Sequence, residues 1–183
     1  MSSIGQGHPA VSIVLCINNG HAHFRGITGY LERQPFKDYE LLFVVTDTSD
    51  DGSKEDAANY CFEHPEASYI IQYDRSYLGG AKNIGLENSH GRYVWFLDVD
   101  DNPSDDFLSV MVDSLESSES QVAVCNFIYS KEEKGPDGER KGSDIVLTGR
   151  QAMHARSLNL IPVASWSMLY DLRTVMDNGI RFP

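Results

Sequence analysis

The chain has 183 residues, is 41% hydrophobic and carries a formal net charge of -12. That size and apolar content suit one globular domain with its own core. The acidic balance, with no basic patch, argues against nonspecific nucleic-acid binding, and no run approaches the roughly 20 apolar residues that a membrane-spanning helix needs.

Residues 1–9 read as a flexible leader, lacking the positive charge and apolar stretch of a targeting signal; residues 10–183 read as a single domain. Val11–Ile17 is the first predicted strand, almost continuously apolar as in a parallel strand covered on both faces. Asn18-Asn19-Gly20 breaks it. A helix is predicted from about Phe24 to Arg33, stopped before Pro35. Leu41–Val45 is the second strand, followed by a polar loop over Thr46–Ser53. Ser53 is read as the cap of a helix running to about Phe62. Ser68–Gln72 is the third strand. Gly79-Gly80 opens a helix through about Asn88, ended by His90-Gly91.

The fourth strand begins at Tyr93 and runs through Trp95-Phe96-Leu97 into Asp98-Val99-Asp100-Asp101. A helix is expected from about Asp105 to Leu115, and a fifth strand over Gln121–Tyr129. Lys131–Gly142 reads as an exposed charged loop. A helix follows from Thr148-Gly149-Arg150 to about Leu158, then a short strand over Ser165–Tyr170 and a helix over Asp171–Asn178. Alternating strands and helices predict an α/β fold with a mainly parallel sheet and helices on both faces. The loops after the first, second and fourth strands then gather at one edge, where open α/β sheets bind ligands.

Several clusters lie on those loops. Asp98, Asp100 and Asp101 repel one another at a strand end, and a hard cation such as Mg2+ or Mn2+ relieves that repulsion. Such an ion takes its remaining ligands from water and phosphate. The same run also makes a good turn and helix N-cap through Asp101 or Ser104, but capping requires neither Asp98 nor Asp100. Gly79-Gly80-Ala81-Lys82-Asn83-Ile84-Gly85 places small residues and a cation at a helix start, a setting for phosphate or for a solvated lysine. It matches neither a dinucleotide fingerprint nor a P-loop. Asp47, Asp50 and Asp51 either meet a ribose or base edge or form an ordinary turn. His21 and His23 read as surface residues of a loop, and Trp166 as core. The three cysteines, Cys16, Cys61 and Cys125, show no metal or redox spacing. Their odd number favours a reducing compartment.

Taken together, these segments resemble the family 2 glycosyltransferases, the inverting group with the GT-A fold. Val11–Asn19 looks like the family's opening strand. Gln34–Val44 resembles its Q-x-F-x-x-[YW]-E stretch. Ala81-Lys82-Asn83-Ile84-Gly85 aligns with A-R-N-x-G, and Gly91–Asp101 is very close to G-x-Y-I-x-F-L-D-x-D-D. Trp166–Tyr170 and Asn178–Pro183 resemble later segments. The likeness runs from about residue 10 to residue 183.

The resemblance implies a Rossmann-like GT-A domain that transfers a sugar from a nucleotide-diphosphate donor, with UDP the commonest base, to a glycan or lipid-linked acceptor. Mn2+ or Mg2+ is the implied cofactor. Asp100 would hold the metal, and Asp98 would support it or bind the ribose. Asn18, Asn19 and Asp47 would surround the base and ribose, and Lys82 and Asn83 would line the donor side. The chain departs from the family pattern at Thr46-Asp47-Thr48-Ser49, where D-D-G-S is usual, at Lys82 in place of arginine, and at Cys16 and Asn18. The family's general base usually follows the position of Pro183, so the chain is read as shortened at its C-terminus with no catalytic base of its own. A cytoplasmic location is expected from thiol usage and from where nucleotide sugars are made, at the membrane inner face if a longer protein carries an anchor. A noncatalytic module that binds nucleotide-sugar, glycan or partner through the same fold is the alternative. A sugar nucleotidyltransferase ranks last, because no basic Gly-rich loop follows the first strand.

Overall fold

The computed structural model describes residues 7–74, 76–126, 145–162 and 164–183. The end of the expected fifth strand and the charged loop over 131–142 lie outside the described residues, as do residues 1–6. Among the described residues, six strands and six α-helices follow in the order β1 (Val11–Ile17), α1 (His21–Arg33), β2 (Tyr39–Thr46), α2 (Ser53–Glu63), β3 (Ala67–Gln72), α3 (Tyr77–Glu87), β4 (Tyr93–Asp98), α4 (Phe107–Ser118), β5 (Val122–Val124), α5 (Gly149–Ser157), β6 (Met168–Asp171) and α6 (Leu172–Asp177).

The sheet order is β3-β2-β1-β4-β6-β5. The first four strands in that order run parallel, and β6 lies antiparallel between β4 and β5. β1 occupies the centre, and all seven of its residues are buried. Strand periodicity then sorts the core into two layers. Val11, Ile13, Leu15, Ile17, Leu41, Phe43, Tyr93, Trp95 and Leu97 face α1, α2 and α4. Val14, Cys16, Leu42, Val44, Val94 and Phe96 face α3 and α6. Helices therefore cover both faces, as the alternation of elements predicts.

The boundaries differ where capping is not local. The first turn of α1 includes His21 and His23, so neither lies in a loop. α2 starts at Ser53 rather than being capped by it. The residue before it, Gly52, sits at φ 103°, a conformation that suits glycine. α4 starts at Phe107 and receives no side-chain cap from its own N-cap residue. Instead the buried Gln34 Oε1 accepts from Leu108 N–H at 3.1 Å, while its Nε2 donates to the Ser104 carbonyl at 2.7 Å. A residue 74 positions upstream thus satisfies one orphan donor of that helix. α3 begins at Tyr77, so Gly79 and Gly80 lie within its first turn rather than opening it.

Ser165–Ser167 forms a 3-10 turn instead of the first half of a strand. It is held by the Ser167 hydroxyl, which donates to the Ala164 carbonyl at 2.8 Å. The turn presents the Trp166 carbonyl to Trp95 Nε1 at 2.7 Å, and Trp95 stacks on Phe107 at 4.2 Å between ring centroids.

Candidate active site

Sheet register sets the site. Cys16 pairs with both Val44 and Asp98. The chain therefore leaves β1, β2 and β4 at one level, and Asn18, Asp47 and Asp98–Asp101 emerge on a common edge. The first two loops are laced together. Asn19 takes a left-handed φ of 53°, which asparagine tolerates. Its N–H donates to Ser49 Oγ at 3.1 Å, and its Oδ1 accepts from Asp50 N–H at 3.1 Å. Asn18 Oδ1 accepts from Thr46 Oγ1 at 3.2 Å.

Below them, Gly20 N–H donates to the fully buried Ser53 Oγ at 2.9 Å, and that hydroxyl donates to Asp51 Oδ1 at 2.5 Å. Asp51 Oδ2 accepts from His21 N–H at 2.9 Å, and His21 Nδ1 meets Asp56 Oδ2 at 2.6 Å. The Ser53 hydroxyl, aided by the N–H groups of His21 and Ser53, holds the Asp51 carboxyl below the ordinary carboxylate range. Asp51 and Asn19 are thus spent on loop geometry, which leaves the exposed Asn18 and Asp47 on the rim. The Asp47 N–H donates to the Gln72 carbonyl at 2.9 Å, and its own carbonyl accepts from Lys54 Nζ at 2.7 Å.

The acidic run divides its work. Asp101 Oδ2 accepts from Asp98 N–H at 3.0 Å and closes the turn. Burial pushes the Asp101 carboxyl up to about 6, and the neighbouring Asp98 and Asp100 charges act in the same direction. Asp98 is also raised, first by burial and then by Asp100, with Lys82 opposing. Asp100 is exposed. Asp100 and Asp101 border a small crevice whose other wall is Ala22, His23, Gly26 and Ile27 of α1.

Lys82 lies beneath this run and is only 6% exposed, rare for a lysine without partners. Its Nζ donates to Ser165 Oγ at 2.6 Å and lies 3.7 Å from Asp98 Oδ1. Cys16 is buried on the same side, its thiol pushed up to about 12 by burial. Asn83, one position on, directs its carboxamide elsewhere: Nδ2 donates to the Phe182 carbonyl at 3.0 Å, and Oδ1 accepts from Phe182 N–H at 2.9 Å. Sequence reasoning did not single out Ser165 or Phe182 as site residues, and it read Ser53 only as a helix cap and Ser49 only as part of the polar loop.

Among the described residues, no three His, Cys, Asp or Glu side chains converge as a metal cage. An exposed Asp100 beside an Asp98 already paired with Lys82 is an open, all-oxygen donor set. That chemistry fits a hard divalent ion completing its shell from water and phosphate, and does not fit a structural zinc site.

Comparison with known proteins agrees with this architecture. The profile of Glycosyl transferase family 2 matches residues 12–172. EpsH of Bacillus subtilis (strain 168) is 24% identical over 96% of this chain and 51% of its own length. The crystal structure of S. aureus TarS 1–349 superposes with a TM-score of 0.76 at 17% identity, over 94% of this chain and 50% of that one. Mannosyltransferase PcManGT from Pyrobaculum calidifontis, solved with GDP-Man and Mn2+, gives a TM-score of 0.67 at 16% identity, over 97% of this chain and 48% of that one. The chain spans about half the length of these relatives. It has the GT-A fold, and it belongs to glycosyl transferase family 2.

Proposed function

We propose that this edge binds a nucleoside diphosphate-sugar, with UDP as the nucleotide, and that the chain is the donor-binding part of an inverting, metal-dependent glycosyltransferase. The observation that carries the reading is the strand-end pair Asp98 and Asp100, with the buried Lys82 ammonium 3.7 Å from Asp98. One cation set among carboxylates, beside two laced loops, suits a ligand that brings phosphate charge and a divalent ion together. TarS has also been solved with UDP and with UDP-GlcNAc, which supports the same class of donor here.

Asp100 would hold Mn2+ or Mg2+, with Asp98 in support. When bound, the ion supplies charge neutralisation for the departing diphosphate. Asn18 and Asp47 offer an amide and a carboxylate to base and ribose. Lys82 orients Asp98 from below, and Asn19 fixes the loop on which Asp47 sits. In the reaction, an acceptor hydroxyl attacks the anomeric carbon and gives its proton to a general base as the bond to the diphosphate oxygen breaks, so the centre inverts and the nucleoside diphosphate leaves with the bonding electrons. The acceptor is a glycan or lipid-linked hydroxyl, and the setting is cytoplasmic, where nucleotide sugars are made. No helix among the described residues is long and apolar enough to cross a membrane.

Calorimetric titration of UDP with Mn2+, and then with EDTA, tests the reading. Metal-dependent binding that Asp100→Ala abolishes, in a variant that stays folded, is the expected result. Equal binding with and without Asp100 would remove the metal assignment.

A further inference from the structure

The last residues of the chain reach the donor edge through an anchor that the donor-site reading leaves unexplained. α6 ends at Asp177 with Asn178 as its C-cap, and Gly179 takes φ 60°. Ile180 N–H returns to the Val175 carbonyl at 3.0 Å, so the chain reverses and runs back over α3. There Phe182 is gripped on both sides of its backbone by the Asn83 carboxamide. The Pro183 carbonyl crosses so close to Gly79 that a Cβ there would lie 1.9 Å from its oxygen. The Phe182 ring then packs edge-on against Phe96, 4.8 Å between centroids, and lies 5.7 Å from Lys82 Nζ.

From this geometry we infer that Asn83 is a positioning residue for the donor site: it clamps Phe182 over Lys82, and that cover keeps the ammonium out of water and directed at Ser165 and Asp98. The inference rests on the donor-site reading above, and it replaces a direct contact between Asn83 and donor. The carboxamide matches both backbone groups of one residue, accepting from the Phe182 N–H and donating to the Phe182 carbonyl. No other side chain of similar length offers a donor and an acceptor so placed without a charge. Gly79 is part of the same device, because any side chain there would lift the segment.

Two readouts on this chain test it. The first needs no nucleotide: the rate at which acetic anhydride, at limiting reagent, acetylates Lys82, followed by peptide mass spectrometry against the exposed Lys37 as internal reference. Asn83→Ala is expected to raise the Lys82 rate about tenfold relative to Lys37, the change in opening expected on losing two neutral hydrogen bonds. Phe182→Ala should do the same with the clamp residue intact, and Phe182→Leu should recover part of the protection. The second readout is the affinity for UDP with Mn2+, expected to weaken several-fold in both alanine variants while the thermal transition stays cooperative.

Unchanged Lys82 acetylation in folded Asn83→Ala and Phe182→Ala overturns the clamp. Raised acetylation with unaltered UDP affinity overturns the positioning role and leaves Asn83 a structural anchor alone. If the parent chain binds no UDP, the donor-site reading fails, and with it the positioning role; the acetylation rates still decide whether Asn83 covers Lys82.

Discussion

Asp101 carries a cost that should be measurable as stability. Its carboxyl titrates at about 6 in the fold against an ordinary 3.8, chiefly because burial disfavours the charged form. At about 1.4 kcal/mol per pH unit, that gap is worth roughly 3 kcal/mol. Partial solvent access lowers the realised figure to about 1–2 kcal/mol. The sign follows from the raised value. Below pH 3.8 both the folded and unfolded chains hold the proton, and its contribution to stability is fully present. Between that point and about 6 the unfolded chain has released the proton and the folded one has not, so stability falls as pH rises.

Above that window the folded domain carries a half-buried charge that asparagine would not. In Asp101→Asn the side-chain oxygen can still accept from Asp98 N–H, the bond that closes the turn. Asp101→Asn should therefore be more stable than the parent by about 1–2 kcal/mol at pH 7.5, or about 2–8 °C in Tm for a domain of this size. The advantage should vanish near pH 3.5. Thermal denaturation followed by circular dichroism, in EDTA from pH 3.5 to 8, gives both curves. A variant less stable than the parent at pH 7.5, or a difference between them that ignores pH, would refute the reasoning.

Other consequences are local. A Cβ on Gly85 would sit 2.2 Å from Val14 Cγ1, where α3 lies on β1. Gly85→Ala should lose about 1–3 kcal/mol by overpacking. Its combination with Val14→Ala should cost less than the sum of the two single changes, because they share one contact; strict additivity would show that they do not. Ser53→Ala removes the acceptor of the buried Gly20 N–H. A loss of about 1–3 kcal/mol in urea denaturation is expected, together with faster hydrogen exchange at Gly20. Cys16, buried and pushed up to about 12, should resist iodoacetamide at pH 8 and react only at the rate of unfolding. Labelling at the rate of an exposed thiol would contradict its place in the sheet.

Much of the sheet was legible because its strands are apolar runs bounded by polar turns. β1 ends where the apolar run ends. β2 and β3 extend past their predicted limits through Tyr39, Glu40, Thr46 and Ala67. Those residues carry little hydrophobic signal, but backbone pairing of β2 with β1 and with β3 includes them. The start of α1 was missed for a related reason. Phe24, Ile27, Thr28 and Leu31 are its buried positions, and they make a visible helical period, whereas the turn before them is polar. The cap of α4 was out of reach, since Gln34 acts across the fold and no local pattern points to it.

The candidate site divides along the same line. Asp98, Asp100, Asp47 and Asn18 stand out in sequence because each follows directly on a strand, and parallel register brings strand ends to one edge. Lys82 could be read equally as a solvated cation or a donor-facing one. The fold excludes the solvated reading, because Lys82 is only 6% exposed. An ammonium removed from water needs hydrogen-bond and charge partners, and they come from Ser165, 83 residues away, and from Asp98. Asn83 makes the point more sharply. Its motif marks it as functional, but its partner lies 99 residues on, at Phe182. That contact exists because the chain turns back at Gly179, just past the end of α6. What a linear reading can place is the chemistry carried by strand ends. The arrangement of that chemistry depends on side chains that meet across the sheet, and those pairings are set by topology rather than by any local pattern.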